Sequence, residues 1–434
     1  MTSRTFALAI IAALLAASAP AAAQAPAAEA PLTGGTPSAC LQGAREARTR
    51  MLMQARASGA PMDASLILAE ARRLAAACAA QFQVGSIDPG QLAALADLFL
   101  FAGDTAGASR ATDRLLATPG LTPQQRAEAV VAAVRASIAA ADPFAGAVTR
   151  AEVLAQQLDA FPDSLAAFKI AAHQLLLGAY EYGDYDEGLR AHALAVLDLV
   201  ARDRGPGSAP LPPDARAAAA EASLSLARAY ADVLHPDSAL AVLDRALAEP
   251  DTPSQLRSAL SDLRALYALV GTPAAPIAAQ HWLNAPDALG AMAVGRGRVT
   301  LIQFTAHWCA PCRNSYPGFK RLAARFRGDD FQAVMVTDLY GNFEGRPATP
   351  AQELADDSAY YGAHWAIPFP VAILVPPADG ASAATDQAYH LGGYPQIVVV
   401  DKHGVIRQIV SGWDRGNEER LAQVVARLER EPAS

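Results

Sequence analysis

Two cysteines, Cys309 and Cys312, stand two residues apart in the pentapeptide WCAPC, between a strand pattern and a helix pattern. The apolar run RVTLIQFT (residues 298–305) predicts a buried strand, and residues 314–326 predict a helix. A thiol at the start of a helix faces unpaired N–H groups and the positive end of the helix dipole, which favours the thiolate. The chain is therefore expected to contain an α/β domain built around a reactive thiol pair.

The spacing of the pair suggests a role for each residue of the motif. Cys309 is expected to attack a substrate disulfide, and Cys312, one helical turn further on, to resolve the mixed disulfide. Pro311 should stiffen the first turn, where its missing N–H costs little, and Trp308 should cover one side of the sulfurs. The competing interpretations are a purely structural disulfide and a zinc site. Zinc needs about four ligands, and no second C-x-x-C exists, so we predict no metal and no organic cofactor.

Alternating patterns continue over residues 271–430, downstream of a composition shift near Gly271. Further strands are predicted at residues 331–337, 371–375, 396–401 and 405–410, and helices at residues 350–361 and 418–430. The last two strands flank the turn Lys402–Gly404 and predict a hairpin. Strands and helices that alternate and end in a hairpin indicate a central mixed sheet in an α/β domain.

This region resembles the thioredoxin superfamily, and most of all its secreted TlpA-like branch. The resemblance rests on WCAPC between strand and helix, on the segment beginning Gly271-Thr272-Pro273, and on Gly393-Tyr394-Pro395 followed by QIVVVD. It implies a thioredoxin-like fold in which Pro395 is cis and lies against the thiol pair, while the backbone of Tyr394 pairs with an extended substrate. It also implies reduction of protein disulfides, with electrons from an upstream thiol donor.

The chain departs from that family where a proton carrier is expected. Thioredoxins have a buried Asp six residues before the first Cys, where this chain has Gln303, and some secreted relatives have a Glu where this chain has Ser315. His307 is a candidate replacement, because imidazole titrates near neutrality; the alternative is an exposed loop histidine. Tyr394 is bulkier than the Thr of many relatives and should narrow what can dock.

The region from residue 39 to residue 269 is predicted to be almost wholly helical, because apolar residues recur at spacings of three and four. Helical hairpins with Gly-Asp turns resemble the tetratricopeptide repeat, best at GDYDE (Gly183–Glu187). Equivalent small residues are spaced more widely than the roughly 34 residues of a regular array. The prediction is a degenerate helical-hairpin stack, either binding a partner protein on a concave surface or serving only as a scaffold.

Cys40 and Cys78 belong to this helical region. Their separation allows a structural disulfide between the first helix and a later one, which an oxidising compartment favours. Two buried, inert thiols are the alternative.

The N-terminus predicts the compartment. Residues 1–23 resemble a cleaved secretory signal, with Arg4, an apolar run too short to span a bilayer, and Ala21–Ala23 as the cleavage region. Residues 24–38, rich in Pro, Ala and Gly, predict a flexible tether. We expect a secreted or periplasmic protein without a membrane span in the mature chain. A formal charge of −8 argues against nucleic acid as a partner.

The leading hypothesis is a secreted thiol–disulfide oxidoreductase that reduces protein disulfides. Its direction rests on the resemblance and on the small, uncharged Ala310-Pro311 spacer. The alternatives are a protein-interaction module whose thioredoxin-like domain serves mainly for docking, and a thiol peroxidase.

Overall fold

A computed structural model of the chain describes residues 32, 35–58, 64–141, 148–181, 186–202, 213–232, 235–285, 291–377, 379–413 and 416–432. The predicted signal peptide (residues 1–23), most of the predicted tether (24–38), the first residues of GDYDE (183–185) and most of the Pro-rich stretch at 205–213 lie outside these ranges. The described residues form two compact units, one reaching Phe161 and the other, to which Val148 also belongs, running from Pro162 onward.

The first unit is helical because Ala-rich, amphipathic segments are separated by residues that cap or end helices. Gly103 has a φ of 86° and ends one helix; Asp104 then begins the next by accepting a hydrogen bond from the Gly107 N–H at 2.7 Å. Thr122 and Gln125 form a capping box at a third helix. The helices are α1 (Pro37–Ser58), α2 (Ala64–Ala79), α3 (Leu92–Ala102), α4 (Thr105–Leu116), α5 (Pro123–Ala140) and α6 (Thr149–Asp159).

A disulfide between Cys40 on α1 and Cys78 on α2 crosses this unit, with the two Cα atoms 6.0 Å apart. Both cysteines are buried in a core that α3, α4 and α5 also line. The bond joins residues 38 positions apart. Such a cross-link lowers the conformational entropy of the unfolded chain and so stabilises the folded state.

Replacing both Cys40 and Cys78 with alanine in the full-length chain is expected to lower the free energy of unfolding of the helical unit by about 2–4 kcal/mol. Urea denaturation followed by far-ultraviolet circular dichroism measures this. The matched control is the Cys309→Ala/Cys312→Ala variant. It removes a disulfide whose two cysteines are only three positions apart in the sequence. An equal midpoint for the Cys40/Cys78 variant and the unmodified chain would show that this bond does not contribute.

The second unit begins with five helices: α7 (Ala166–Glu181), α8 (Asp186–Arg202), α9 (Pro213–Asp232), α10 (Pro236–Leu247) and α11 (Ser254–Tyr267). Small residues let α9 and α10 approach closely, because Ala227 and Ala239 are both fully buried. The core of α9–α11 is continuous with one face of the sheet that follows, where Ile302 and Phe304 lie. The predicted boundary near Gly271 therefore falls inside this unit.

A six-stranded mixed sheet forms the centre of the rest of the unit, in the order β10-β9-β4-β5-β8-β2. Strands β4, β5 and β8 are parallel to one another, whereas β9, β10 and β2 are antiparallel to their neighbours. The sheet strands are β2 (His281–Leu283), β4 (Val299–Phe304), β5 (Phe331–Asp338), β8 (Val371–Leu374), β9 (Gln396–Val400) and β10 (Ile406–Ser411). Short ladders add β1 (Ile277–Ala278), β3 (Ala291–Met292), β6 (Asn342–Phe343) and β7 (Arg346–Pro347).

Side-chain alternation along the strands gives the sheet two buried faces. Val299 and Leu301 of β4 point to the face covered by α12 (Ala310–Arg325) and α15 (Asn417–Glu429). Ile302 and Phe304 point to the opposite face, with α9–α11. The remaining helices are α13 (Pro350–Asp357) and α14 (Ala384–Ala388).

The predicted fold class, a helical region followed by a thioredoxin-like domain with a mixed sheet, is confirmed. One predicted helix is shorter than expected, because α13 ends at Asp357 and a π-helical turn follows at Ser358–His364. Edge strand β2 and the short ladders were not predicted, since two or three residues carry no periodic pattern. No helix among the described residues is long and apolar enough to cross a bilayer. The likeness of the helices to tetratricopeptide repeats stays a prediction.

Candidate active site

Cys309 lies immediately before the first residue of α12 and is the N-cap of that helix. Its Sγ accepts a hydrogen bond from the Cys312 N–H, with a sulfur–nitrogen distance of 3.1 Å. The structure joins Cys309 to Cys312 in a disulfide, with Cα atoms 5.3 Å apart. Pro311 occupies the first turn of α12, where no backbone donor is needed. In the reduced state the same N–H and the helix dipole would stabilise a thiolate at Cys309.

A cleft of about 570 Å³ opens in front of Cys309. Cys312 is fully buried behind it, so a substrate in the cleft would meet Cys309 first. The cleft is lined by Trp308, Cys309, Ala310, Pro311, Asp338, Ser382, Asp386, Leu391, Gly392, Gly393 and Tyr394.

Aromatic side chains frame the cleft. Trp308 is 51% exposed, the most of any aromatic residue near the thiol pair. Its ring meets those of Tyr340 and Tyr394 edge to face, at centroid distances of 5.4 and 5.6 Å. The Tyr340 hydroxyl donates a hydrogen bond to the Tyr394 hydroxyl at 3.0 Å, which holds the two tyrosine rings in position. An exposed apolar ring beside a reactive sulfur can pack against an incoming chain.

The peptide bond between Tyr394 and Pro395 is cis, as the resemblance implies. Pro395 is buried, directly before β9, and its carbonyl accepts a hydrogen bond from the Gly412 N–H at 2.8 Å. Tyr394 contributes to the cleft wall. The cleft thus brings Trp308 and Pro311 together with Tyr394, although these residues come from distant parts of the sequence.

The two positions where relatives carry a proton carrier contact each other here. Gln303, on β4, donates a hydrogen bond from its side chain to the Ser315 hydroxyl on α12, and that hydroxyl donates to the Cys312 carbonyl at 2.7 Å. Both side chains are fully buried. Neither titrates near neutral pH, so this pair cannot accept a proton from Cys312.

His307 is buried rather than exposed, and it does not line the cleft. Its Nδ1 lies 3.5 Å from Oδ1 of Asp357, which is fully buried on α13. Burial raises the pKa of the Asp357 carboxyl, against the hydrogen bond and charge of His307, which lower it. The imidazole therefore lies in the interior beside Asp357, and its predicted role as proton carrier stays a prediction.

Glu353 completes this buried group with His307 and Asp357, and their ligand atoms all lie within 4.8 Å of one another. One nitrogen and two carboxylates could ligate a metal ion of the N/O-binding type. Glu353, however, already accepts hydrogen bonds from the N–H groups of Tyr340 and Gly341, both at 2.7 Å. We interpret Glu353 as the member of this group that fixes the loop after β5, through these two backbone N–H groups.

Sequence reasoning missed two carboxyl groups of the cleft, Asp338 and Asp386. Asp338 is the last residue of β5, and the carboxyl ends of parallel strands are where α/β sheets commonly place functional groups. That signal could have identified it. Asp386 lies on the five-residue helix α14, within a Pro/Ala/Gly-rich region that gave no signal.

Comparisons with known proteins give matches over part of the chain. No protein-family model matches the chain. A curated thioredoxin of the H type from Oryza sativa subsp. indica is 43% identical over 53 residues, which are 12% of this chain and 43% of the relative. The chain therefore spans less than half the length of that relative.

Three solved structures give matches that cover 37% of this chain and nearly all of each neighbour. A thioredoxin-like superfamily protein matches with 27% identity and a TM-score of 0.32 over 99% of its length. A thiol-disulfide isomerase from Corynebacterium glutamicum matches with 22% identity and a TM-score of 0.30 over 97% of its length. A protein described as a thiol:disulfide interchange protein, DsbE, from Chlorobium tepidum has 24% identity and a TM-score of 0.28, over 97% of its length.

Proposed function

We propose that this protein is a thiol–disulfide oxidoreductase that reduces disulfides in protein substrates. The observation that carries the proposal is the position of Cys309, at the N-terminus of α12 with its sulfur facing an N–H group and an open cleft. Cys309 attacks the substrate disulfide as a thiolate, and Cys312 then attacks Cys309 in the mixed disulfide. The substrate leaves with two thiols, and the protein is left with the Cys309–Cys312 disulfide.

The cleft walls supply the means of holding an extended substrate. Trp308 offers an exposed ring, and Gly393 and Tyr394 also line the cleft. An extended peptide can pair with the backbone of these two residues by strand addition. The bulk of Tyr394 narrows the choice of peptide.

The proposed place of action is outside the cytoplasm. The signal-like residues 1–23 support it, together with the Cys40–Cys78 disulfide, since stable disulfides persist mainly in oxidising compartments. An upstream thiol donor must then return two electrons to Cys309 and Cys312 after each turnover.

Two other functions remain as alternatives. A docking module would bind partners through the helices without needing the thiols. A thiol peroxidase would reduce hydroperoxides through Cys309 and would reduce protein disulfides only slowly.

Replacing Cys312 with serine is expected to trap substrates on Cys309, because the mixed disulfide then has no resolving thiol. Trapped partners should appear after non-reducing electrophoresis of extracytoplasmic extracts and disappear on reduction. The control is the Cys309→Ser/Cys312→Ser variant, which keeps the cleft but has no thiol in it. If the single variant captures no more protein than the double variant does, the oxidoreductase proposal fails.

A further inference from the structure

Two carboxyl groups, Asp338 and Asp386, line the same cleft as the reactive sulfur. Asp338 ends β5, Asp386 lies on α14, and both line the cleft that Cys309 lines. Each is less than a tenth exposed. The carboxyl group of Asp338 interacts electrostatically with that of Asp386, and its Oδ1 atom has no hydrogen-bond partner among the described residues. Two interacting carboxyl groups in a buried site favour sharing one proton, because two negative charges there repel each other.

The surroundings favour that shared proton. Burial, followed by the hydrogen bond and the charge of Asp338, raises the pKa of Asp386 to about 8. Burial also raises the pKa of Asp338, against the hydrogen bonds of Asp386 and Tyr394, which lower it. The other titratable groups that interact with the pair are the hydroxyls of Tyr340 and Tyr394. Both have pKa values raised above the ordinary tyrosine range, mainly by burial, so both stay neutral.

We propose that the Asp338–Asp386 pair is the general acid of disulfide reduction and gives its shared proton to the first sulfur that leaves the substrate. This inference rests on the proposed function. The Cys309 thiolate attacks one sulfur of the substrate; a Cys309–substrate S–S bond forms, and the substrate's own S–S bond breaks. The electron pair of that bond goes to the departing sulfur, which takes the proton from the pair, directly or through solvent in the cleft.

In the second step Cys312 loses its proton to the pair and attacks Cys309, so that the Cys309–Cys312 S–S bond forms and the Cys309–substrate S–S bond breaks. The second substrate sulfur leaves with the electron pair of that bond and takes a proton from solvent. An alkyl thiol has a pKa of about 8.5, close to that of the pair, and proton transfer between groups of matched pKa is efficient. The pair thus supplies a titratable group that Gln303 and Ser315 cannot supply.

The test compares two neutral disulfides in single turnovers of pre-reduced, full-length protein. Bis-hydroxyethyl disulfide releases a basic alkyl thiolate that needs a proton, whereas dipyridyl disulfide releases a thione that needs none at sulfur. Asp386→Asn and Asp338→Asn should each slow reduction of the alkyl disulfide about 100-fold. Both should reduce dipyridyl disulfide within about twofold of the unmodified rate, which also shows that the variants are folded. The matched control is Asp379→Asn, because Asp379 is exposed and does not line the cleft.

The pH profile adds a second readout. The acid acts only in its protonated form, so the alkyl-to-dipyridyl rate ratio of the unmodified protein should be constant below about pH 8 and fall above it. If the Asp338 and Asp386 variants lost rate equally with both disulfides, the aspartates would have a structural role. If they lost no rate with either disulfide, the aspartates would take no part in the reaction. Each result overturns the inference. If the unmodified protein reduces neither disulfide, the proposed function itself fails, and the inference falls with it.

Discussion

Replacing Cys309 with serine is expected to lower the rate of disulfide reduction by at least about 1,000-fold, the order of loss found when an enzyme nucleophile is removed. A serine hydroxyl at this position faces the same N–H group of Cys312, but it does not ionise near neutral pH and cannot form a disulfide with a substrate. Insulin reduction with dithiothreitol as the electron donor, followed by turbidity, measures the loss.

The matched control for this experiment is the Cys40→Ser/Cys78→Ser variant, which also removes two sulfurs but leaves the cleft intact. It should keep the rate of the unmodified protein at temperatures where it is folded. If Cys309→Ser retained a rate within tenfold of the unmodified protein, Cys309 would not be the nucleophile, and the docking-module alternative would gain support.

Replacing Gly295 with alanine is expected to lower the free energy of unfolding by about 2–5 kcal/mol, the sum of a left-handed backbone cost and a steric overlap. Gly295 has a φ of +80°, and a Cβ there would lie 2.4 Å from the Cα and 2.5 Å from the nitrogen of Gly404. These are backbone atoms in the turn between β9 and β10, so no side-chain rotation relieves the overlap. The loop before β4 and this turn would have to separate.

Gly297→Ala is the matched control for this change. Gly297 has nearly the same φ, +84°, but an added Cβ meets nothing within 4 Å, so the cost should be only about 1–2 kcal/mol. Urea denaturation followed by tryptophan fluorescence suits both variants, because all four tryptophans lie between residues 282 and 413. Equal midpoints for Gly295→Ala and Gly297→Ala would contradict the close approach of the two turns.

The sequence predicted the centre of the thioredoxin-like fold because its signals there are local. The apolar run before Trp308 and the helix pattern after Cys312 place the thiol pair at a strand-to-helix junction, and the structure has β4 and α12 at these positions. The hairpin of β9 and β10 has a similarly clear turn at Lys402–Gly404. Strand β2 could not be predicted in this way, since it pairs with β8 about ninety residues away along the chain.

The candidate site was only partly predictable for the same reason. Trp308 and Tyr394 could be named from motifs, and the structure places both on the cleft. The pairing of Asp338 with Asp386 depends on tertiary contacts between β5 and the region before β9, and no short motif encodes it. His307 shows the converse. Its neighbours along the chain suggested an exposed loop, whereas the structure buries the imidazole in that loop, 3.5 Å from Asp357, which lies fifty residues on.

The apolar core that α9–α11 share with one face of the sheet limits where recombination can divide the gene. Recombination that joined the catalytic segment from Gly271 onward to a foreign N-terminus would expose to solvent the apolar side chains of β10 that share this core, among them Ile406 and Ile409. Genetic exchange that preserves the catalyst must therefore transfer the adjoining helices along with it.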